Sequence, residues 1–204
     1  MSTTRRDTRI KRCPKCLVHH LNCFCNDIET LSLKSKLSLI IYKKERFLPS
    51  NTAQLTLKSL TNSQYFFRGY QGKKLNPDFI DDTNYQPLLL FPTEDSVELT
   101  PELVKTFNKP INLIVPDGTW RQAKKVHRRE ELLINIPRVR ITPQAKSIYP
   151  LRRQKFEFGL CTHEAIAYAM AIIESENVKN KLMNNLKIFI HAHLKNRPIF
   201  EKEN

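Results

Sequence analysis

An apolar run, Ile111-Asn112-Leu113-Ile114-Val115, passes through Pro116-Asp117-Gly118-Thr119-Trp120 into a basic, helix-like run over 121–129. The turn combines an acid, a flexible glycine, a hydroxyl and the single Trp of the chain. In α/β folds ligands collect at the carboxyl ends of strands, where backbone donors and loop side chains converge. The same residues also suit an ordinary turn, with Asp117 or Thr119 as helix N-cap and Trp120 in the core.

Other segments extend this pattern. Residues 37–42 read as a first buried strand, 65–67 as a short strand, and 88–91 as a strand stopped by Pro92. Residues 139–141 form another short strand between Pro137 and Pro143. Helical spacing appears over 51–60, capped by Asn51 or Thr52, and over 101–107, opened by Thr100 with Pro at the first position. It appears again over 162–174, where Ala165, Ile166, Ala169, Met170 and Ile173 trace an apolar stripe, and over 183–195. Strands alternating with helices imply an α/β layer fold with a mostly parallel sheet. At 204 residues the chain suits one good-sized domain with a small appendage.

Charge narrows the partners. Thirty-four Lys and Arg face twenty Asp and Glu, a formal net charge of +14. Such an excess favours a polyanion, because each neutralised phosphate releases a condensed counterion. No apolar stretch approaches the roughly 20 residues of a membrane span, and no amphipathic anchor or lipidation signal argues for a membrane surface. Residues 1–12 read as a disordered basic arm without the apolar segment of a secretory signal. The expected location is the cytoplasm, or the nucleus in a eukaryote.

Residues 13–27 form a Cys-rich knob: Cys13-Pro14-Lys15-Cys16 and Cys23-Phe24-Cys25. Four close thiols in a chain without a secretion signal argue for a structural Zn²⁺ bound by Cys13, Cys16, Cys23 and Cys25, rather than disulfides. His19 or His20 is an alternative fourth ligand. Cys161 lies far off and reads as a small buried residue. Residues 28–204 then form the main domain.

Taken in order, six fragments resemble the DTW-domain family of tRNA-uridine aminocarboxypropyltransferases. They are the four-cysteine knob, Glu45 through Pro49-Ser50-Asn51-Thr52, and Leu90-Phe91-Pro92 with Glu94. Then come Asp117-Gly118-Thr119-Trp120, Leu151-Arg152-Arg153, and Cys161-Thr162-His163-Glu164-Ala165. The family's first strand block often continues into a His shortly before that Glu; Tyr42-Lys43-Lys44-Glu45 has none, so no role built on it transfers. The resemblance implies a SPOUT-like fold with a trefoil knot near the C-terminal part of the sheet. It also implies transfer of the 3-amino-3-carboxypropyl group of S-adenosylmethionine to N3 of a tRNA uridine, releasing methylthioadenosine.

Residue chemistry suits that reaction. Uridine N3 is a poor nucleophile until its proton leaves, and Asp117 is the candidate base. Leu90, Phe91, Pro92 and Glu94 offer the adenosine an apolar floor with one polar contact. Asp117, Thr119 and Trp120 flank it, and Thr162, Glu164 and Ala165 supply a helix start. Trp120 suits stacking on a base as well as burial. Arg152 and Arg153 fit either the amino-acid carboxylate or an RNA backbone. Lys124, Lys125, Arg128 and Arg129 are candidate tRNA contacts, and Asn51 and Thr52 face either ribose or base. Two rivals are a methyltransferase of the same knotted class and a non-catalytic zinc-containing RNA-binding protein. The oligomeric state is open, with a monomer preferred.

Overall fold

The structure is a computed structural model that describes residues 11–45, 48–70, 74–142, 145–151 and 159–195. Among these, six strands form one sheet: β1 (Lys36–Tyr42), β2 (Ser63–Arg68), β3 (Gln86–Leu90), β4 (Val97–Glu98), β5 (Ile111–Asp117) and β6 (Arg138–Arg140). Five α-helices accompany them: α1 (Thr52–Ser59), α2 (Pro101–Lys105), α3 (Trp120–Arg129), α4 (Thr162–Ile173) and α5 (Glu176–Leu194). The strand order is β2-β1-β5-β3-β6-β4, and every pairing is parallel. This is the α/β arrangement that the alternation of segments implies.

An all-parallel sheet must be covered on both faces, so its central strands are apolar throughout rather than alternating. β5 is buried along its whole length and β1 at its five inner residues. On one face Leu37, Leu39, Ile41, Leu88, Leu113 and Val115 pack against Ala53 of α1, Ile166, Ala167 and Met170 of α4, and Leu182 of α5. On the other, Ile40, Leu89 and Ile114 meet Ala123 and Val126 of α3 with Leu133 and Ile136 beyond it. Asn112 brings a polar group into β5 at no exposure, satisfied by Ser38 Oγ at 2.7 Å and by donation to Ile80 O at 2.6 Å.

Caps set the helix starts. Asn51 caps α1, Thr100 caps α2, and Thr119 caps α3, where Gln122 returns a bond to the Thr119 N–H at 2.6 Å. α5 begins seven residues before the stretch expected from its apolar spacing. Ser175 caps it, and its first turns expose polar residues, so the apolar face declares itself only from Leu182 onward. The two-residue β4 gives no periodic signal, and α2 ends at Lys105, two residues short of expectation. Lys11 and Arg12 pair with the cysteine knob, through Lys11 O to His20 N and the Arg12–His19 bridge. The remainder of the expected basic arm lies outside the described residues.

Candidate functional site

β1 and β5 are neighbours whose connections diverge. The chain leaving β1 runs through α1 outward to β2, whereas the chain leaving β5 runs through α3 on the opposite face toward β6. The crevice outside the carboxyl ends of such strands is where open α/β sheets bind ligands. Asp117, the last residue of β5, stands there opposite Ile41 of β1. A cleft of about 100 Å³ opens above it, lined by Glu45, Ser50, Asn51, Asp117, Tyr149 and Cys161 among others.

Asp117 is 3 % exposed. Thr162, the first residue of α4, donates to its Oδ1 at 2.6 Å, and Asn51 donates to its Oδ2 at 2.9 Å. Three separate elements therefore converge on one carboxylate. Gly118 follows at φ +144°, a conformation that L side chains rarely adopt. A Cβ there would lie 2.9 Å from Gln122 Oε1, the atom that holds the Thr119 N–H, so the glycine both turns the chain and leaves room for the cap of α3.

The loop before α4 is held by a buried acid. Glu164 is 1 % exposed and accepts from Ser147 Oγ at 2.6 Å, Ile148 N at 2.7 Å and Cys161 N at 2.8 Å. It ties the 147–148 stretch to the start of α4 and thereby sets Tyr149, whose hydroxyl donates to Ser50 O at 2.5 Å. His163 is wholly buried. Its Nε2 lies 2.8 Å from Leu182 O, an acceptor, so Nε2 carries the proton and Nδ1 accepts from Thr56 Oγ1 at 2.8 Å. Burial pulls its pKa down to about 4.

The residues expected to meet the cofactor divide between the two faces. Leu90 is buried with Asp117's side of the sheet. Phe91 turns to the α3 side, stacked on His127 at 4.9 Å and 21°, with the Trp120 ring at 6.2 Å. Trp120 is 46 % exposed, so it is not a core residue. Pro92 and Glu94 are exposed, and Ala165 is half-buried against the core. Thr119 is the cap of α3. Asn51 and Thr52 are both buried beside the cleft. Asn51 has each polar valence engaged within the protein, so contact with a substrate would require it to surrender one. On α3, Ala123 and Val126 point inward while Lys124, Lys125, Arg128 and Arg129 are exposed as one basic face. Arg152 and Arg153 lie outside the described residues. Sequence reasoning did not single out Glu45, Ser50, Tyr149 or Cys161 as lining residues. Glu45 had a usable signal, since it follows directly on a buried strand, whereas Tyr149 reaches the cleft only through the tertiary fold.

The cysteine knob lies beyond α5. The Sγ atoms of Cys13, Cys16, Cys23 and Cys25 all fall within 4.8 Å of one another, with Cys13–Cys25 at 3.9 Å and Cys16–Cys23 at 3.8 Å. A tetrahedron with Zn–S bonds of about 2.3 Å has edges of roughly 3.8 Å, so the four thiols fit that ion; none is in a disulfide. The ligand group includes neither His19 nor His20. Backbone N–H groups at Cys16 and Lys15 bring the Cys13 thiol down to about 6, whereas burial pushes the Cys16 and Cys25 thiols up, so the case for a metal rests on the geometry of the four sulfurs. Phe24 of the knob packs edge-on against Phe189 of α5 at 5.3 Å.

The DTW domain family matches residues 10–194. The chain belongs to the DTW-domain family. The family region thus takes in the knob, the Asp117 turn and the α4 start together. Over 90 residues the chain is 38% identical to "tRNA-uridine aminocarboxypropyltransferase 2" of Drosophila melanogaster, covering 44% of this chain and 35% of that protein. The proteins of that name from Macaca fascicularis and Mus musculus are each 30% identical over 90 residues, 44% of this chain and 30% of theirs. The matched stretch therefore spans about a third of the length of these relatives. Among solved structures, the SAM-dependent rRNA:acp-transferase Tsr3 from Vulcanisaeta distributa is similar with a TM-score of 0.48 and 21% identity, over 78% of this chain and 79% of that one.

Proposed function

We propose that this chain transfers the 3-amino-3-carboxypropyl group of S-adenosylmethionine to N3 of a uridine in tRNA, releasing methylthioadenosine. The observation that carries this reading is the buried Asp117, set at the mouth of a cleft within the signature turn of a DTW domain. The relatives it matches over 90 residues are named tRNA-uridine aminocarboxypropyltransferase 2.

Asp117 takes the proton from N3. The N3 lone pair attacks Cγ of the aminocarboxypropyl chain, and the Cγ–S bond breaks with its electrons moving to sulfur. The sulfonium becomes a neutral thioether, so no anion develops on the leaving group and positioning dominates the rate. At about 100 Å³ the cleft takes the reacting atoms rather than a whole nucleoside. The adenosine then lies at the end of β3, reaching toward the exposed Trp120 ring. Thr162, Glu164 and Ala165 belong to the cofactor side of the site, with Glu164 acting through the loop it anchors. The tRNA backbone follows the basic face of α3 at Lys124, Lys125, Arg128 and Arg129, with Arg152 and Arg153 assigned to the same polyanion or to the amino-acid carboxylate.

Cys13, Cys16, Cys23 and Cys25 hold a structural Zn²⁺, a closed site that supplies stability and no open coordination position. A knot in the C-terminal part of the sheet belongs to the same proposal. It rests on the resemblance to the family alone. No helix of the described residues is long and apolar enough to cross a membrane. A cytoplasmic or nuclear site of action on tRNA belongs to the same proposal. The test is purified protein with tRNA and S-adenosylmethionine, read by nucleoside mass spectrometry. A uridine heavier by an aminocarboxypropyl group supports the reading. Gain of a methyl group assigns a methyltransferase, and tRNA binding without either product assigns a non-catalytic RNA-binding protein.

A further inference from the structure

The Asn51 side chain has only one chemically consistent orientation. Its Oδ1 faces two backbone N–H groups, Ala53 at 2.7 Å and Gln54 at 3.3 Å, which can only donate. Its amide nitrogen therefore points to two groups that accept, Asp117 Oδ2 at 2.9 Å and Glu45 O at 3.3 Å. Flipping the amide would break all four contacts. The residue is 6 % exposed, and the cap of α1 prevents it from turning away.

We propose that Asn51 is the positioning residue for Asp117: its immobilised amide fixes the carboxylate in the orientation that accepts a proton from a nucleobase in the cleft. The proposal rests on the proton-accepting role given to Asp117 above. Thr162 completes the grip from the other side, with its hydroxyl on Oδ1. A carboxylate held at one oxygen can swing about its own axis; held at both, from the starts of two helices, it cannot. A base fixed in this way meets N3 without first reorganising, which is where positioned groups gain their rate.

The titratable groups on the elements packed around this carboxylate can be placed among the described residues. Glu45 after β1, Tyr149 from the loop before α4 and Cys161 line the same cleft. On α4, His163 is turned to Thr56 and Leu182, and Glu164 to Ser147 and Ile148. α1 presents no charged residue in its first turn, and Arg121 at the start of α3 is exposed.

The test uses full-length protein and single-turnover transfer at saturating S-adenosylmethionine. Asp caps helices as well as Asn, so Asn51→Asp keeps the cap of α1, and its melting temperature is lower at neutral pH but recovers as the carboxylate pair takes up a proton. It replaces the donor on Asp117 with a second carboxylate, and like charges at hydrogen-bond distance raise the pKa of the pair. The acid limb of the pH–rate profile should move to higher pH by about one unit or more. Asn51→Ser, which caps without charge, should lower the single-turnover rate roughly 10-fold or more, and separate steady-state assays at varied S-adenosylmethionine should show kcat falling with KM in place, as expected for losing a hydrogen bond to a charged group. Thr162→Val, which removes the hydroxyl on Oδ1, should lower the rate as well, and a wild-type rate for it would count against the grip on Asp117. A folded Asn51→Asp with an unmoved limb, or Asn51→Ser with wild-type kcat, overturns the proposal. Asp117→Asn separates the two ideas. An inactive Asp117→Asn beside unchanged Asn51 variants refutes the positioning role alone, whereas a fully active Asp117→Asn refutes the base itself.

Discussion

His163 makes acid stability the sharpest physical prediction of this fold. The imidazole is wholly buried between α1 and α5, with both nitrogens bonded in the neutral form. Burial lowers its pKa from 6.5 to about 4. Below about pH 6.5 the unfolded chain takes up a proton that the folded chain refuses, so the neutral histidine's contribution is complete above that value. It is lost progressively as the pH falls from about 6.5 toward 4, and no further loss arises once both states are protonated. At 1.36 kcal/mol per unit the full window is worth roughly 3 kcal/mol, and about 2 kcal/mol of it is gone by pH 5. His163→Gln keeps a donor for Leu182 O and an acceptor for Thr56 but does not titrate. Urea unfolding of both proteins at about pH 7.5 and pH 5 cancels the carboxylates and thiols they share. The variant should be the less stable at the higher pH because its packing is altered. The gap should then close by about 2 kcal/mol at the lower pH. A gap that stays constant would refute the assignment of a buried, neutral His163.

Three further outcomes follow from other parts of the molecule. Purified protein should carry about one zinc per chain, and Cys13→Ser with Cys16→Ser should abolish it and lower the melting temperature; reduced protein free of zinc would contradict this. Changing Lys124, Lys125, Arg128 and Arg129 together to Ala should flatten the salt dependence of tRNA binding, by a slope of about 3 if all four meet phosphates, without weakening S-adenosylmethionine binding. Gly118→Ala should cost on the order of 1 kcal/mol or more in unfolding free energy, since it strains a positive φ and displaces the Gln122 cap; a melting curve that matches wild type would show the turn to be unstrained.

The sheet was legible because a parallel strand buried on both faces is written as an unbroken apolar run, as at β1 and β5. The cap at Thr100 was legible, and those of α1 and α3 to within two candidates each, Asn51 or Thr52 and Asp117 or Thr119, because a short polar side chain precedes a helical pattern; the structure selects Asn51 and Thr119. The start of α5 was not, because Val178 is the single apolar residue of its first turns and too little for a periodic stripe. At the site, Asp117 stood out from its turn, but its partners did not. Asn51 and Thr162 lie 66 and 45 residues from it along the chain and meet it only once α1 and α4 pack on the same face. The sequence marked Asn51 as a cap or a ligand contact. The structure makes it a cap that also grips Asp117, a double use that no local pattern encodes. Trp120 likewise sits where a strand-to-helix turn puts it, yet whether it was core or surface depended on the width of the α3 face.

The central claim is that Asp117 takes the N3 proton during aminocarboxypropyl transfer, and the single-turnover rate of Asp117→Asn on tRNA at saturating S-adenosylmethionine tests it most directly. Asn keeps the shape of the side chain and removes its basicity. The account predicts a rate lower by roughly 10²–10⁴, the range that general bases supply, with cofactor and tRNA affinities close to wild type. If Asp117 only holds the cofactor's ammonium group, affinity falls first and saturation restores the rate. A variant that transfers the group at the wild-type rate under these conditions would contradict the claim.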